Sequence, residues 1–354
     1  MRIVVTGASG NVGTALVSRL QAAGQHDIVA IARRVPDYAA IDGPQWVSID
    51  LSDPGCGHQL RHALHGADAV VHLAWGFQPS HQVGYLEAVG VGGTQRVLAA
   101  SAAADVGHVV HMSSVAAYSP KRDAEPVDES WPVNGVPTSA YSRHKVAAER
   151  QLDSFEKTSA GTAVARVRPG IIGQRSAGSA LLRYALPILL PAKAIAAVPV
   201  LPMPAGLTIP MVHADDVADA IVRILEQQAT GAYNLAAATP ISAADIAETL
   251  GARWIPTPGR VLRALLAASW QARLQQVAPG WLDLGAAAPA LDSSRAKHEL
   301  GWTPKASALE VLRETVEGMT EAVAGPTAAL RHRTVLSELS QLVSHGPVSH
   351  RRQP

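Results

Sequence analysis

The chain is expected to be an α/β protein: a Rossmann-type, doubly wound parallel sheet with a smaller, mostly helical C-terminal substrate domain. Three observations predict this. The first twenty residues read as strand, glycine turn and helix: Arg2-Ile3-Val4-Val5-Thr6, then Gly7-Ala8-Ser9-Gly10-Asn11-Val12-Gly13, then Thr14 to Leu20 with Ala15, Leu16 and Leu20 on an apolar face. Short buried runs then alternate with helical patterns as far as about residue 168, the rhythm of parallel βαβ units. Beyond Arg168 the alternation breaks down.

The remaining elements follow in order. His26 to Ala32 reads as a second strand, ending in Ala32-Arg33-Arg34, and Trp46 to Ile49 as a third, running into Asp50-Leu51. A helix through Leu60–Leu64 precedes a fourth strand, Ala69 to Leu73, which ends at Ala74-Trp75. One helix is predicted over Val83 to Ala104, then a fifth strand, His108 to Met112, delivering Ser113-Ser114. A loop with proline and acidic residues, 119–138, leads to a long helix from Ala140 to Glu156 and a sixth strand from Thr162 to Val167. Residues 1–168 are thus expected to form the dinucleotide-binding domain, with 211–236 returning to it. Residues 169–210 and 237–320 would form the substrate domain, and 321–354 an amphipathic helix (325–345) and a flexible tail. Within 211–236, a helix over Asp216–Gln227 would be capped by Asp215 or Asp216.

Composition narrows the function classes. The 354 residues are 47% hydrophobic and 17% charged, enough for a sizeable core. A formal net charge of +1 gives no general attraction to nucleic acid or acidic membrane. The most apolar stretch, Leu181 to Pro202, holds Arg183, Lys193 and four prolines, which argues against a membrane span. One cysteine, Cys56, allows no disulfide within the chain, and residue 1 leads straight into a strand, so no signal peptide and a cytoplasmic location are expected. His58, His62 and His65 have helical spacing but no acids to complete a site, so no metal is expected.

The glycine turn carries the first chemistry. Gly7 permits a tight turn, Gly10 lets backbone approach a pyrophosphate, and Gly13 lets helix and strand pack closely, while the helix N-terminus offers free N–H groups. In an open parallel sheet, ligands sit beyond the carboxyl ends of the strands, so Thr6, Arg33, Asp50, Ala74 and Ser114 should share one crevice. Tyr141 and Lys145 stand four apart on a helix and face the same way. An ammonium near a phenol is expected to lower its pKa and make Tyr141 a usable acid or base.

At this point the sequence resembles the extended short-chain dehydrogenase/reductases, the NAD-dependent epimerase/dehydratase family. Thr6 to Gly13 is similar to their T-G-x-x-G-x-x-G, His72-Leu73-Ala74 to their H-L-A segment, Ser113-Ser114 with Tyr118 to S-S-x-x-x-Y, and Tyr141 with Lys145 to Y-x-x-x-K. Arg168-Pro169-Gly170, Val212 to Ala218, Tyr233-Asn234-Leu235 and Leu300 to Pro304 resemble later landmarks. The resemblance implies an NAD(P)-dependent enzyme with Ser114, Tyr141 and Lys145 as catalytic residues. It implies cofactor contacts from Thr6, Gly7, Gly10, Asn11, Val12, Gly13, Asp50, Leu51, Leu73, Ala74, Trp75, Lys145 and Pro169, to which Arg33 and Arg34 are added. The second strand ends without an acid for the ribose hydroxyls of NAD, and two guanidinium groups suit a 2′-phosphate, so NADP is favoured over NAD. The family often pairs subunits through helices, which implies a homodimer.

Departures from the family pattern bear on the substrate. The asparagine of the family's N-V-x-G-T segment is Gly90 here, which puts the usual proton relay in question. An arginine that meets sugar-nucleotide phosphates is replaced by Ile209, and Gly170-Ile171-Ile172-Gly173 lacks the family's asparagine. A diphosphate needs charged or multiple polar partners. A small or apolar alcohol or carbonyl is therefore expected, with Leu181, Leu182, Leu186, Met203, Trp270 and Trp281 as candidate walls. The alternatives are a sugar-nucleotide epimerase or dehydratase and a non-catalytic dinucleotide sensor.

Overall fold

In a computed structural model, which describes residues 1–36, 43–76, 80–185 and 192–331, seven parallel strands make the central sheet. The strands of the chain are β1 (Arg2–Thr6), β2 (Asp27–Ala32), β3 (Gln45–Ser48), β4 (Ala69–His72), β5 (His108–Met112), β6 (Ala163–Pro169), β7 (Ile171–Gly173), β8 (Val200–Met203), β9 (Thr208–Ile209), β10 (Met211–His213), β11 (Gly231–Leu235), β12 (Ile241–Ser242) and β13 (Arg253–Pro256). The helices are α1 (Asn11–Ala23), α2 (Gly57–Leu64), α3 (Val83–Glu87), α4 (Gly93–Ala103), α5 (Ala140–Thr158), α6 (Gly178–Ala185), α7 (Ala214–Gln227), α8 (Ala243–Thr249), α9 (Gly259–Gln271), α10 (Pro279–Ala287), α11 (Ser294–Leu300) and α12 (Ala308–Thr320).

The sheet order is β3-β2-β1-β4-β5-β6-β11. The chain reverses its winding direction between β1 and β4, and a crevice opens there beyond the strands' carboxyl ends. β4 and β5 are buried along their whole length, as their apolar runs require when both sheet faces are covered. Leu16 and Leu20 of α1, Ile221 and Ile224 of α7 and Trp302 pack on one face. Leu60 and Leu64 of α2, Val97 of α4, and Leu152 and Phe155 of α5 pack on the other.

Several expectations are corrected. The predicted helix over 83–104 is two helices, α3 and α4, joined by a π-helical turn at Ala88–Gly92. Within 211–236, β11 joins the main sheet beside β6, but β10 pairs with β7 in a separate two-stranded sheet. The cap of α7 is His213, whose Nδ1 accepts from the Asp215 N–H at 3.1 Å. Asp216 instead accepts from the backbone N–H groups of Lys305 and Ala306, and its carbonyl accepts from Trp302 Nε1 at 2.8 Å. That clamp explains the Leu300–Pro304 landmark: it fastens the segment before α12 to α7. Of the amphipathic helix expected over 325–345, residues 325–331 are turn and coil, because Gly325 N–H bonds back to the Leu330 carbonyl at 2.8 Å, and the rest lies outside the described residues.

α12 begins with a capping box between Ser307 and Glu310 and lies across the chain leading into α6. Backbone meets backbone there: a Cβ on Gly318 would overlap the Arg175 carbonyl, and one on Gly178 would overlap Gly318. Gly318→Ala should therefore cost about 1–3 kcal/mol of unfolding free energy in urea, the range for overpacking; a cost below about 0.5 kcal/mol would contradict the close approach.

Candidate active site

The turn after β1 is built by its glycines. Gly7 has φ +72°, and a Cβ there would lie 2.6 Å from the Ala74 nitrogen; a Cβ on Gly13 would overlap the Gly7 carbonyl. The Gly10 N–H closes the turn on the Gly7 carbonyl at 2.9 Å. α1 starts behind it with no side-chain cap and no acid in its first turn, an N-terminus suited to an anion. Asn11 is fixed sideways: Nδ2 donates to the Ile172 carbonyl at 3.2 Å, while Gln174 Nε2 donates to Asn11 Oδ1 at 2.5 Å. The sequence did not single out Gln174, which lies in the poorly patterned stretch after β6.

One cavity of about 520 Å³ joins this turn to the Tyr-Lys helix. Gly7, Gly10, Asn11, Val12, Gly13, Arg33, Arg34, Asp50, Leu51, Leu73, Ala74, Trp75, Ser114, Tyr141, Lys145 and Pro169 all line it. Thr6 does not belong to that lining. It is fully buried, its Oγ1 sits 2.7 Å from His72 Nδ1, and His72 Nε2 reaches Thr94 Oγ1 at 3.0 Å. Thr6 thus ties β1, β4 and α4 together beneath the site. The lining also includes Tyr85, missed in the sequence, whose hydroxyl accepts from Arg33 Nη1 at 2.5 Å.

α5 carries Tyr141 and Lys145 into the cavity. Ser139 caps it, and Ser142 Oγ donates to the Ala116 carbonyl at 2.6 Å, docking the first turn against the loop after β5. Ser114 closes that loop's short 3₁₀ turn by accepting from the Ala116 N–H, and it hydrogen-bonds Tyr141. Lys145 Nζ donates to the Met112 carbonyl at 2.8 Å and rests 3.5 Å from the centre of the Trp75 ring. One further turn along, Glu149 accepts from Ser113 Oγ at 2.5 Å and from Arg168 through both carboxylate oxygens, at 2.9 and 3.1 Å. Burial works to raise the Glu149 pKa, but Arg168 and Ser113 hold the carboxyl below its usual range. Tyr118, Arg168 and Asn234 complete the network: Arg168 Nη1 donates to the Tyr118 oxygen at 3.1 Å, and Tyr118 donates to Asn234 Oδ1 at 2.7 Å.

The expected lowering of the Tyr141 pKa is not found. Burial pushes the phenol up to about 12, opposed by the Ser114 hydrogen bond, and burial also brings Lys145 well below its ordinary value, against the pull of Glu149. Desolvation sets the direction of the Tyr141 shift, while Lys145 Nζ lies 5.9 Å from the Tyr141 ring centre, over Trp75 and bonded to the Met112 carbonyl.

Of the candidate walls, Leu181 and Trp281 line the cavity, and Trp281 stacks on Tyr141 with ring centres 5.2 Å apart and planes at 27°. Leu182 is fully buried in a separate cluster with Ile195 and Met319. Trp270 stacks on His81 instead, Met203 is in β8 away from the lining, and Leu186 lies outside the described residues. Ile171, Ile172, Ile209 and Met211 line the cavity at the very segments where the sequence departs from the family pattern. His58, His62 and His65 are exposed, and among the described residues no group of three or more His, Cys, Asp or Glu could hold a metal ion. No helix among them is long and apolar enough to cross a membrane.

Residues 3–236 match the model of the NAD dependent epimerase/dehydratase family. The chain belongs to that family of NAD(P)-dependent enzymes. It is 29% identical over 331 residues to an uncharacterised protein of Mycobacterium tuberculosis, covering 92% of this chain but 30% of that relative's length. Over 181 residues it is 35% identical to the L-arabinose 1-dehydrogenase (NAD(P)⁺) of Haloferax volcanii, 48% of this chain and 66% of that one. The fold is also that of the UDP-glucose 4-epimerase of Thermus thermophilus solved with NAD, at 22% identity and a TM-score of 0.68, covering 91% and 100% of the two chains.

Gly90, the departure from the family's asparagine, lies against Trp75. A Cβ on Gly90 would sit 2.9 Å from Trp75 Cζ2, so the indole occupies the volume that an asparagine side chain would need. Gly90 lies within the π-helical turn, where Thr94 Oγ1 donates to its carbonyl at 2.7 Å. Restoring the asparagine alone should clash: Gly90→Asn is expected to lose about 1–3 kcal/mol of stability, and Trp75→Ala with Gly90→Asn to recover part of it. Additive losses in that double-mutant cycle, read by urea unfolding, would break the link.

His72 supplies a pH test. Burial first, and the Lys145 charge second, bring its pKa to about 3 from the ordinary 6.5. The unfolded chain therefore takes up that proton first. Stability should be complete above about pH 6.5 and fall with acidification toward pH 3, by up to about 1.4 kcal/mol per pH unit for this one group. An unfolding free energy unchanged between pH 7 and pH 5 would rule this out.

Proposed function

We propose that the protein is an NADP-dependent oxidoreductase that interconverts an alcohol and a carbonyl on a small or apolar substrate. The observation that carries this reading is the Ser114–Tyr141 hydrogen-bonded pair facing an apolar stretch of the same cavity that holds the glycine turn. A bound nicotinamide would supply or accept the hydride. The chain's own residues do the rest. Ser114 orients the substrate oxygen, and Tyr141 passes a proton to it or takes one from it. Lys145, fixed by the Met112 carbonyl, stands one helical turn from Tyr141 on the same helix. Trp281 lies on the Tyr141 ring, and Leu181, Ile209 and Met211 exclude water around the substrate carbon.

The substrate reading follows from where charge is placed. Among the described residues lining the cavity, the formal charges are Arg33, Arg34, Asp50 and Lys145, all beside the dinucleotide path or the proton. Nothing in the lining by Trp281 offers a diphosphate the partners it needs. The dinucleotide reading follows from Arg33 and Arg34 beyond the end of β2, where Ala32 leaves no acid to repel a 2′-phosphate. The division into a dinucleotide-binding domain and a substrate domain belongs to the same proposal, with Trp281 contributed by α10 of the latter.

Tyr141→Phe should lower turnover by at least about a hundredfold, the usual contribution of an acid–base group, and leave dinucleotide affinity nearly unchanged. Turnover that survives sinks the mechanism. A phenol pKa near 12 makes Tyr141 a proton donor at neutral pH. Reduction should accordingly change little from pH 6 to 8, while oxidation should keep rising with pH as the phenolate fraction grows; an oxidation rate already flat at pH 7 would contradict this. NADP should bind more tightly than NAD, and Arg33→Ala with Arg34→Ala should cost roughly ten- to a hundredfold in NADP affinity, the loss of one or two charge-assisted hydrogen bonds. Tightly retained NAD with no net dinucleotide turnover would favour an epimerase or dehydratase instead.

A further inference from the structure

α9 packs beside α10, the helix that carries Trp281 into the cavity, yet it buries no residue of its own. α1 and α12 have the same length and bury five and six. One side of α9 is fixed: Arg263 Nε donates to both carboxylate oxygens of Asp283 in α10, at 2.9 and 3.0 Å, and Trp270 stacks on His81 with ring centres 4.5 Å apart. The opposite face, by helical spacing, carries Val261, Leu265, Ala268 and Ala272, all exposed, with Leu265 at 65%. Past the helix, Arg273 takes φ +55°, a left-handed conformation that usually goes to glycine, and the Leu274 N–H closes on the Ser269 carbonyl at 2.9 Å. That turn leaves Leu274 74% exposed. The ribbon that leads into α9 adds Val200 of β8 and Ile255 of β13. Eight large apolar side chains are exposed among the described residues, and five of them belong to this one region. Single exposed apolar residues are ordinary; such a concentration marks a docking surface.

We propose that α9 and Leu274 lay the protein on an anionic lipid bilayer, with the apolar stripe in the headgroup region and arginines on lipid phosphates. Charge decides the occupant. Residues 249–282 contain Arg253, Arg260, Arg263 and Arg273 and no Asp or Glu, in a chain whose net charge is +1. Arg263 turns to Asp283; the other three are exposed and have no ion pair among the described residues. A second copy laid face to face would set these guanidinium groups against their own kind. An anionic bilayer meets the leucines and the arginines together, at roughly fivefold in affinity for each guanidinium near the surface. With 13 residues α9 is too short to span, so it lies in the interface. The near-zero net charge of the whole chain averages this local excess away. Docking would also bring α10 and Trp281 beside the phase in which the apolar substrate proposed above dissolves, but the docking itself stands apart from that reading.

The test is co-sedimentation of the full chain, without dinucleotide or substrate, with vesicles of phosphatidylcholine alone and of phosphatidylcholine with about a quarter phosphatidylserine. The unaltered protein should partition onto the mixed vesicles, much less onto the neutral ones, and should be released as salt rises from about 0.05 to 0.5 M. Leu265→Gln with Leu274→Gln removes apolar area without adding charge and should weaken binding at least about tenfold. Arg260→Gln with Arg273→Gln should weaken it by a similar factor and flatten the salt dependence. All four side chains are exposed, so urea unfolding of both double variants should match the unaltered protein. A protein that stays in the supernatant with both vesicles at low salt overturns the proposal, as does equal partition of the unaltered and altered chains. Loss of self-association in Leu265→Gln with Leu274→Gln, without vesicle binding by the unaltered chain, would assign the face to a second copy and overturn it as well.

Discussion

The Glu149–Arg168 ion pair is the constraint on which the site depends. Arg168 ends the apolar run of β6 and Glu149 sits two turns along α5 from Tyr141, so their two-point contact fixes α5 in both position and roll against the sheet. Both charges are almost fully out of water, an arrangement that costs several kcal/mol of desolvation unless every donor is met. Here they are met. Ser113 and Tyr118 supply side-chain contacts, and the Glu129 carbonyl accepts from Arg168 Nη1 at 3.1 Å. Ser113 precedes Ser114, so the carboxylate that orients α5 also orients the strand end that presents the hydroxyl to Tyr141. A helix held only by apolar contacts could slide by a fraction of a turn; one held by a forked pair cannot without leaving two buried charges unpaired.

Around Lys145, Gly90 and Trp75 fit one another. An asparagine at position 90 would add polar volume beside the lysine; this chain has no side chain there and fills the space with the indole of Trp75. The π-helical turn over Ala88–Gly92 includes Gly90 and Gly92, where backbone cost is lowest, and the Thr94 hydroxyl returns to the Gly90 carbonyl within it. The face of a large aromatic ring attracts an ammonium, so the indole adds to the hydrogen bond that Lys145 makes to the Met112 carbonyl. The ring is also apolar, and it deepens the desolvation that keeps both Lys145 and Tyr141 from ionising readily.

What was legible in the sequence was whatever depends on local repeats. Gly7, Gly10 and Gly13 announce a turn because only backbone fits where a Cβ would meet Ala74 or the Gly7 carbonyl; Val4, Val70 and Val109 announce strands buried on both faces. The parallel sheet and the meeting of Arg33, Asp50, Ala74 and Ser114 in one cavity followed from those. What was hidden depends on partners far apart in the chain. Thr6 reads as a strand-end residue facing the crevice but is buried beneath it, bonded to His72. Asp216 reads as a helix cap but is needed by Lys305 and Ala306, and Gln174 means nothing until Asn11 is beside it. The single helix read over 83–104 is divided by a π-helical turn, whose Gly90 lies against Trp75. The pKa of Tyr141 was misjudged for the same reason: the i to i+4 spacing places the ammonium, but the depth of burial that overrides it is a property of the assembled site.

The cavity separates its chemistry along its length, and this bears on selectivity more than any one contact does. At the glycine turn and the end of β2, backbone N–H groups and guanidinium groups offer an anion what water would otherwise supply. Along α10 and just past its end, Trp281, Leu284 and Ala288 offer apolar surface, next to a phenol and a serine hydroxyl. A substrate with a charged tail would lose hydration there without recovering it, a penalty larger than the gain from a few added contacts. A substrate with one carbonyl or hydroxyl and an apolar body loses little. The same desolvation that would penalise a charged tail raises the Tyr141 pKa and keeps the phenol protonated.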